Sequence, residues 1–528
     1  MSQGHPMIDP GKISEEEKTP LVKALLHTIQ QMTQRIEQLR EEIARLKEHK
    51  GKPKIPPSQL EKDPKNKEKK DRKGKRPGSK KRSKTKDLPI HETIAVAPKD
   101  LPAGSTRVGH DDWIVQGLKI ESHNVCYQLE IWLTADGKLM KGKLPDSVSG
   151  HFDATLRSFI LQQYNHGHVT QPLIREELMD FGVDISTGQI SRILTEQNEA
   201  FHLEKAGVLC AGLDVSNYIN VDDTGARHAG RNGYCTHIGN EFFAWFESTE
   251  SKSRINFLQL LRNGHDDYLI DENALEYIQR QSFPQPLLAR LAEETGKPFA
   301  CEADWKQQME RLDITNERHV RIATEGALIG SVLHHGFSKE VVILSDDAGQ
   351  FNIFRHALCW IHAERTIHKL IACSDEESKV IEDARDRIWQ LYRDLKTYKE
   401  GPDEKSKGLL EKRFEEIFAE QTNCQVLNAA LRRVAKNKEE LLLVLDRPDI
   451  PLHNNLSERD IREYVKKRKI SGSTRSENGR RCRDTFTSLK KTCRKLGVSF
   501  WGFLNDRLSG AGKIPPLPDL IRAKAQSG

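Results

Sequence analysis

Apolar side chains recur every three or four residues near the N-terminus. Isoleucine occupies three positions equivalent to a, and leucine occupies most positions equivalent to d, a pattern typical of a parallel two-stranded coiled coil. The sequence therefore predicts a homodimer, or a higher oligomer, held together through residues 22–46. A single amphipathic helix folded onto its own protein is the alternative. The apolar positions are Val22, Leu25, Ile29, Met32, Ile36, Leu39, Ile43 and Leu46.

A run of lysine and arginine follows the heptads. Residues 50–86 contain seventeen of them against four acids, a charge of +13, whereas the whole chain carries +6. Because this segment has few apolar residues and several prolines, it cannot bury enough surface to fold alone. We expect a disordered basic arm that neutralises phosphates. A solubilising linker or a localisation signal is the alternative for the same composition.

Beyond the arm, the pattern changes twice. Short runs of Val, Ile, Trp and Tyr between 107 and 144, with a turn at 135–137, predict several short strands in a small β-rich module. A helical period then predicts two helices joined by a turn at 181–184, with Ser186 capping the second one. The pair resembles a helix-turn-helix that binds DNA. Such helix pairs are also common in proteins that never touch DNA.

The central part of the chain predicts an α/β core. Three runs between 214 and 246, separated by turn residues, indicate an antiparallel meander. The fully apolar run 341–344 suits a buried parallel strand. Helical patterns fill most of 254–335 and 354–443. The fold class is therefore multidomain α/β, with large helical insertions in the core.

Three acidic segments stand far apart, where predicted elements begin or end. Asp222 follows the first strand of the meander, Asp346 follows the buried strand, and Glu458 opens a helix that Asn454 or Asn455 would cap. An acid after a strand is more often a turn former than a ligand. The order of the three is nevertheless that of an RNase H-like core, and converging oxygen donors suit Mg²⁺.

Composition narrows the class of protein. No apolar stretch approaches the roughly 18 to 20 residues needed to cross a bilayer, and the polar N-terminus lacks the apolar region of a signal peptide. The nine cysteines are scattered without a CxxC pair, which favours reduced thiols. We expect a cytoplasmic protein, associated with the nucleoid, and no membrane partner.

Four segments of the chain match the motifs of one known family, in the same order. Asp222-Asp223-Thr224 is similar to its Asp-Glu-Thr segment, and residues 346–352 to its Asp-Gly-Tyr-x-x-Tyr-Asn segment. Residues 359–365 and 454–459 resemble its Cys-Trp-x-His-x-x-Arg and Asn-Asn-x-x-Glu-Arg segments. The family is the insertion-sequence-sixty-six family of DDE transposases. Its usual Cys-rich module is missing here, since residues 87–150 contain one cysteine, Cys126.

The resemblance implies a role for particular residues. Asp222, Asp346 and Glu458 would be the catalytic triad and would bind two Mg²⁺ ions, with Mn²⁺ as a substitute. Asp223 and Asp347 are the neighbours most easily confused with them, and His362 is a further candidate near a phosphate. The residues that would contact DNA are Arg459, Arg462, Lys466, Lys467, Arg468 and Lys469.

We therefore expect a transposase that cuts DNA at transposon ends and joins the freed 3′-hydroxyl to target DNA. An RNase H-like nuclease that hydrolyses without joining is one alternative. A non-catalytic, dimeric DNA-binding regulator derived from a transposase is the other. The resemblance also implies help from small accessory proteins of the same element.

Ten segments follow from these patterns, and each is named by its expected content. They are the coiled coil (1–48), the basic linker (49–88), the β-rich module (89–150), the helix-turn-helix-like region (151–205), the first part of the core (206–250), a helical insertion (251–338), the second part of the core (339–372), another insertion (373–450), the C-terminal core helices (451–510) and a tail (511–528).

Overall fold

The computed structural model describes residues 88–527 apart from 99, 101, 103 and 146–149, together with a few positions between 19 and 39. The described positions from 22 to 39 are helical. Most of the predicted coiled coil, and nearly all of the predicted basic linker, lie outside the described residues. Both therefore stay predictions.

The segment ahead of the core contains one hairpin rather than several strands. β1 (Ile131–Leu133) pairs antiparallel with β2 (Leu139–Lys141) through the predicted turn at 135–137. The other predicted strands are absent from the described residues of this segment, so the expectation of a β-rich module is corrected. Its apolar side chains are exposed, Trp113 by 90%. Strands without a covering layer bury little apolar surface, and even a paired hairpin is then marginally stable.

Four helices come next, and they include the predicted helix pair. They are α1 (Ala154–Asn165), α2 (Gln171–Asp180), α3 (Thr187–Thr195) and α4 (Glu199–Asp214). The Ser186 hydroxyl oxygen accepts a hydrogen bond from the backbone N–H of Gln189 at 3.2 Å, which is the predicted cap of α3. Gly182 supplies the turn before it with a φ of +76°, a conformation that favours glycine.

The predicted antiparallel meander is present. β3 (Tyr218–Gly225) pairs with β4 (Tyr234–Gly239), and β4 pairs with β5 (Ala244–Thr249). β3 begins later and ends later than the sequence pattern indicates, because its pairing with β4 continues to Gly225. Asp222 therefore lies within the strand instead of after it.

The segment predicted as the first insertion is mainly helical, as expected. Its elements are α5 (Arg254–Leu261), β6 (Tyr268–Leu269), α6 (Glu272–Arg280), α7 (Gln285–Ala292), β7 (Pro298–Phe299), α8 (Glu302–Arg311) and α9 (Glu317–His334). α9 is buried along most of its length and packs against α5, α6 and β6. The insertion therefore shares the main hydrophobic core with the sheet and α1–α4.

Two parallel strands complete the central sheet. β8 (Val342–Ser345) is the predicted buried strand, and it pairs with β3 on one side and β9 (Arg355–Leu358) on the other. The strand order is β5-β4-β3-β8-β9. The sequence does not predict β9, because Arg355 and His356 interrupt its apolar pattern. Ile343 belongs to the main core, whereas Leu344 belongs to a second core on the opposite face.

The second core is formed by one face of β8 and β9, by α10 and by the helices of the second insertion. Its helices are α10 (Trp360–His368), α11 (Asp375–Tyr398), α12 (Glu404–Phe418), α13 (Gln425–Ala435) and α14 (Lys438–Leu442). Trp360 is 1% exposed, and its indole N–H donates to the carbonyl oxygen of Leu441 at 2.8 Å. Phe414 and Phe418 pack against its ring.

Four helices form the C-terminal part of the chain. They are α15 (Asn455–Ser471), α16 (Glu477–Leu496), α17 (Phe500–Ser509) and α18 (Leu517–Gln526). α15 packs on β3 and β4, and the largely buried α16 packs on β5. The helix that carries the third predicted acid thus lies on the meander that carries the first.

Two buried lysines join these helices to α1. Lys467 of α15 donates to the carbonyl oxygen of Tyr164, and its ammonium lies 3.1 Å from the centre of the Tyr164 ring. Lys490 of α16 donates to the carbonyl oxygen of Asn165 at 2.9 Å. Burial lowers the pKa of Lys467 to about 7, and the charges of Arg483 and Lys490 act in the same direction.

Two further features concern the state of the cysteines and the apolar character of the helices. All nine cysteines lie in the described part of the chain, and all are free. Among the described residues, no helix has both the length and the apolar character that a bilayer span requires.

Two helical glycines in different surroundings test the packing. A Cβ at Gly330 would collide with the carbonyl oxygen of Leu269, and overpacking of this kind costs about 1–3 kcal/mol. A Cβ at Gly408 meets nothing within 4 Å, and alanine there gains up to about 1 kcal/mol of helix propensity. We expect Gly330→Ala to lower, and Gly408→Ala to raise, the denaturant midpoint measured by circular dichroism. Stabilisation by both would contradict the packing of α9 on β6.

The buried Lys467 predicts a pH-dependent stability. Its pKa is about 7 in the folded chain and about 10.4 in an unfolded chain. Between these values the unfolded state binds more protons, so the contribution of Lys467 to the free energy of unfolding rises with pH. We expect the wild type to gain stability relative to Lys467→Met as the pH rises from about 7 to 10, measured by denaturant titration. A difference that does not change with pH would show that burial leaves the pKa of this ammonium unperturbed.

Candidate active site

Two aspartates follow the last parallel pair of β3 and β8, near enough for the charge of Asp346 to raise the pKa of Asp222. The last paired residues are Asn220 of β3 and Leu344 of β8. Asp222 and Asp346 each stand two residues further along, so they share a register position on neighbouring segments. Side chains alternate along a strand, and neighbouring strands are about 4.8 Å apart. The register therefore directs both carboxylates to the same side of the sheet.

Asn454 attaches the start of α15 to this part of the sheet. Its amide nitrogen donates to the carbonyl oxygen of Val221 at 2.7 Å, and its amide oxygen accepts from the side chain of Asn220 at 2.8 Å. The predicted capping role is corrected, because the described Asn454 side chain makes no cap hydrogen bond to α15. Its amide instead bonds to β3. A buried amide with both groups paired positions the helix strongly.

Glu458 lies in the first turn of α15, directly after this attachment. One of its oxygens accepts from the Arg365 guanidinium at 3.2 Å and lies 3.5 Å from Nε2 of His362. The other oxygen is 3.8 Å from Arg462, one turn further along α15. Cations on two helices therefore hold the third acid at the edge of the site.

The three acids act on one another electrostatically. Burial raises the pKa of Asp222 to about 7, and the negative charges of Asp346, Asp223 and Glu458 act in the same direction. The oxygens of the triad do not all lie within 4.8 Å of one another. The ligand atoms of His265, Asp267 and His335, near the end of α9, do. A buried carboxylate beside like charges favours a bound cation or proton. The arrangement is thus suited to attract a cation.

Asp223 is directed to other partners. One oxygen accepts from the Thr236 hydroxyl of β4, and the other accepts from the side-chain amide of Gln350 at 2.8 Å. Burial raises the pKa of Asp223, and these two hydrogen bonds oppose the rise. Because successive side chains of a strand point to opposite faces, Asp222 is the member of this pair that shares a face with Asp346. Gln350, to which the sequence assigned no role, connects β3 to the loop after β8.

Asp347 also lies apart from the triad. Its carboxylate is 2.8 Å from the Arg433 guanidinium of α13 and accepts from Asn437 at 3.4 Å. The side chain is half exposed. Its contacts join the loop after β8 to the second insertion, and this position is therefore a natural control for the triad.

His362 lies beside the triad, as the sequence analysis expected for a candidate. Burial lowers its pKa, opposed by the negative charges of Glu458 and Asp346. Arg365 lies one turn further along α10 and makes the shorter contact with Glu458. Arg365 lies in a segment that resembles a family motif, but its role could not be predicted because nothing in the sequence shows that α10 faces α15.

The basic residues of α15 have different surroundings. Lys467 is buried against α1, and Arg468 donates to the carbonyl oxygen of Gly225 at the end of β3. The buried Lys467 side chain is not free to contact a phosphate in this arrangement, whereas the partly buried Arg468 engages only one nitrogen of its guanidinium. The exposed members of the predicted set are Arg459, Arg462, Lys466 and Lys469.

Comparison with known proteins adds two matches. A family model described as "Transposase IS66 family" matches residues 299–481, which include Asp346, His362 and Glu458. An uncharacterized protein of Sinorhizobium fredii, y4jO, is 44% identical over 321 residues, which are 60% of this chain and the whole of that protein. With this identity over the full length of a relative, and a family match across two of the three acids, the chain belongs to the IS66 family of transposases.

Proposed function

We propose that this chain is a DDE-type DNA transposase that cuts DNA at transposon ends and joins the freed 3′-hydroxyl to target DNA. The observation that carries the proposal is the shared register position of Asp222 and Asp346, together with the electrostatic influence of Glu458 on Asp222. The antiparallel meander followed by two parallel strands supports an RNase H-like core. Membership of a transposase family supports DNA as the substrate.

The donor set fits two Mg²⁺ ions, with Mn²⁺ as a substitute. Carboxylate oxygens are the hard ligands that these ions prefer, and burial together with the negative charges of the neighbouring acids raises the pKa of Asp222. Asp222 and Asp346 would hold the ions, and Glu458 would complete the second site. Bound there, the ions would supply Lewis-acid stabilisation of the phosphodiester and activation of water or the 3′-hydroxyl.

Arg365 and His362 prepare Glu458 for this role. In the free protein both contacts fix the carboxylate, and Arg365 balances its charge, which reduces the ordering that ligand binding requires. The Arg365 side chain is 20% exposed, and a guanidinium pairs readily with a phosphate. The same residue can therefore release the acid and contact the DNA backbone when the substrate enters.

Neutral replacements at the triad test the catalytic assignment. Asp222→Asn, Asp346→Asn and Glu458→Gln each remove one charged ligand, and losing several kcal/mol of transition-state stabilisation slows cleavage on the order of 10³-fold. We expect these variants to retain DNA binding and to fail in a Mg²⁺-dependent cleavage assay on the inverted repeats that flank the gene. Asp347→Asn is the matched control: its amide oxygen can still accept from Arg433 and keep the loop in place, so it should cleave at the wild-type rate. Normal cleavage by Asp222→Asn would sink the assignment.

A titration without DNA tests ion binding independently of activity. We expect the wild type and Asp347→Asn to bind Mn²⁺ with equal affinity in isothermal calorimetry, because Asp347 is already paired with Arg433. Asp222→Asn and Asp346→Asn should bind it more weakly, since each lacks one anionic ligand. Equal binding by all four proteins would place the ions outside the triad.

Two measurements separate the proposal from its alternatives. A nuclease would cleave the ends but would not join a pre-cleaved 3′-hydroxyl to a second DNA in a strand-transfer assay. A non-catalytic regulator would bind DNA without binding Mn²⁺ at the triad. A transposase should both join the 3′-hydroxyl to a second DNA and bind Mn²⁺ at the triad, and the paired acids favour that outcome.

The assembly in which this reaction takes place is part of the proposal. The heptads of residues 22–46 support a homodimer or higher oligomer, which would bring two transposon ends together. The family resemblance implies small accessory proteins of the same element. The composition of the chain supports a cytoplasmic, nucleoid-associated location.

A further inference from the structure

A basic cleft of about 480 Å³ opens between the end of α1, the middle of α15 and the last turns of α16. One acid, Glu463, and two apolar side chains contribute to its wall. The remaining lining residues can all carry positive charge, and together they define the basic cleft. They are His166, His168, Lys466, Lys490, Lys491 and Arg494.

Carboxylates do not balance the cations around the cleft. Glu463 is shared by Lys466 at 3.1 Å and Lys490 at 3.3 Å. Asp460, behind the wall, is shared by Lys491 at 2.9 Å and Lys495 at 2.7 Å. No described carboxylate forms an ion pair with the remaining cation, Arg494.

Five cations thus stand against two acids, an excess of +3 without the histidines. Consistent with a positive field, burial and the charge of Lys490 lower the pKa values of both His166 and His168. An excess of fixed positive charge in a concave site attracts anions. The chemistry of this site therefore favours an anionic ligand rather than a cation.

The cleft is held in shape before any ligand binds. Lys490 is 6% exposed, and its ammonium is fixed by the carbonyl oxygen of Asn165 at the end of α1. His168 lies 3.4 Å from Glu463, on a backbone with a φ of +59°. A rigid, positively charged site loses little conformational entropy on binding. Exposed Lys466 and Arg494 lie at its rim.

The cleft and one acid of the triad, Glu458, share helix α15. Glu458 is in the first turn of α15, and Lys466 follows eight residues later, a rise of about 12 Å along the axis. Arg462, exposed and halfway between them, points the same way because residues four apart share a helix face. One strand of B-DNA carries a phosphate about every 3.4 Å along its axis. A backbone phosphate about three or four nucleotides from the triad would therefore reach the cleft.

We propose that the basic cleft binds a phosphate of the DNA strand whose scissile phosphate lies at the triad. The ligand is a backbone phosphodiester, read without regard to base sequence. This inference rests on the proposed function. It adds contacts from the end of α1 and from α16 to the DNA contacts predicted for α15.

The double variant Lys466→Ala/Arg494→Ala removes the two rim cations and leaves the buried lysines in place. Its matched control is Lys405→Ala/Lys412→Ala, which removes the same charge from exposed positions of α12 among several acids. Binding to a duplex is measured by fluorescence anisotropy without divalent cations, between about 50 and 200 mM salt. Circular dichroism and the denaturant midpoint verify that both variants fold.

We expect the rim variant to bind about tenfold more weakly at 0.1 M salt, with a salt dependence shallower by about one phosphate contact. The loss should be the same for transposon-end and unrelated duplexes. Binding by the rim variant that equals binding by the α12 control would overturn the proposal, as would a wild type that binds no duplex. If inorganic phosphate stabilises the wild type but not the rim variant while their DNA binding is equal, the cleft is a small-anion site and the proposal fails.

These results are independent of the catalytic assignment. The binding assay contains no divalent cation, so it does not require ion binding by the triad. Failure of the triad variants to lose cleavage would contradict the proposed function alone. Unchanged DNA binding by the rim variant would contradict the cleft alone.

Discussion

The parallel register between β3 and β8 is the constraint on which the rest of the structure depends. Pairing of Asn220 with Leu344 places Asp222 beside Asp346. The same register places Ile343 in the main core and Leu344 in the second core. A slip of one residue would turn every side chain of β8 to the other face of the sheet. The two acids would then lie on opposite faces, and the apolar side chains of β8 would each face the wrong core. The free energy of core packing therefore maintains the geometry of the site.

The carboxylates around α15 fall into two electrostatic classes. Burial acts to raise the pKa of Asp460, but the neighbouring His237, 3.4 Å away, and the charges of Lys495 and Lys491 hold that pKa well below its usual range. Asp222 is buried as well, yet its neighbours are acids and its pKa rises. Asp460 is thus a structural ion whose charge is balanced inside the protein. Asp222 is an acid whose environment favours a bound cation or proton, and that difference distinguishes the candidate active site from the buried ion pairs around it.

The helical insertions contribute directly to the site. Arg254 of α5, from the first insertion, donates to the carbonyl oxygen of Gly349 at 2.6 Å. Arg433 of α13, from the second, pairs with Asp347. The loop that follows β8 is therefore fastened from both sides. Because an aspartate on an unsupported loop would lose its orientation, the insertions stabilise the position of Asp346 relative to β3 as well as enlarging the core.

The sequence by itself determined the elements whose residues carry a strong local pattern. From it we could identify the meander, the buried strand β8, the capped helix after Ser186 and the three acids with their motifs. The periodicity of apolar residues and helix capping are local properties, and a sequence shows them directly. Only the tertiary structure decided which acid of each pair faces the site, that Arg365 holds Glu458, that Lys467 is buried, and that apolar runs near Trp113 form no sheet. These outcomes depend on which surfaces meet across hundreds of residues, and one-dimensional patterns contain the propensity of a segment but not the partner that covers it.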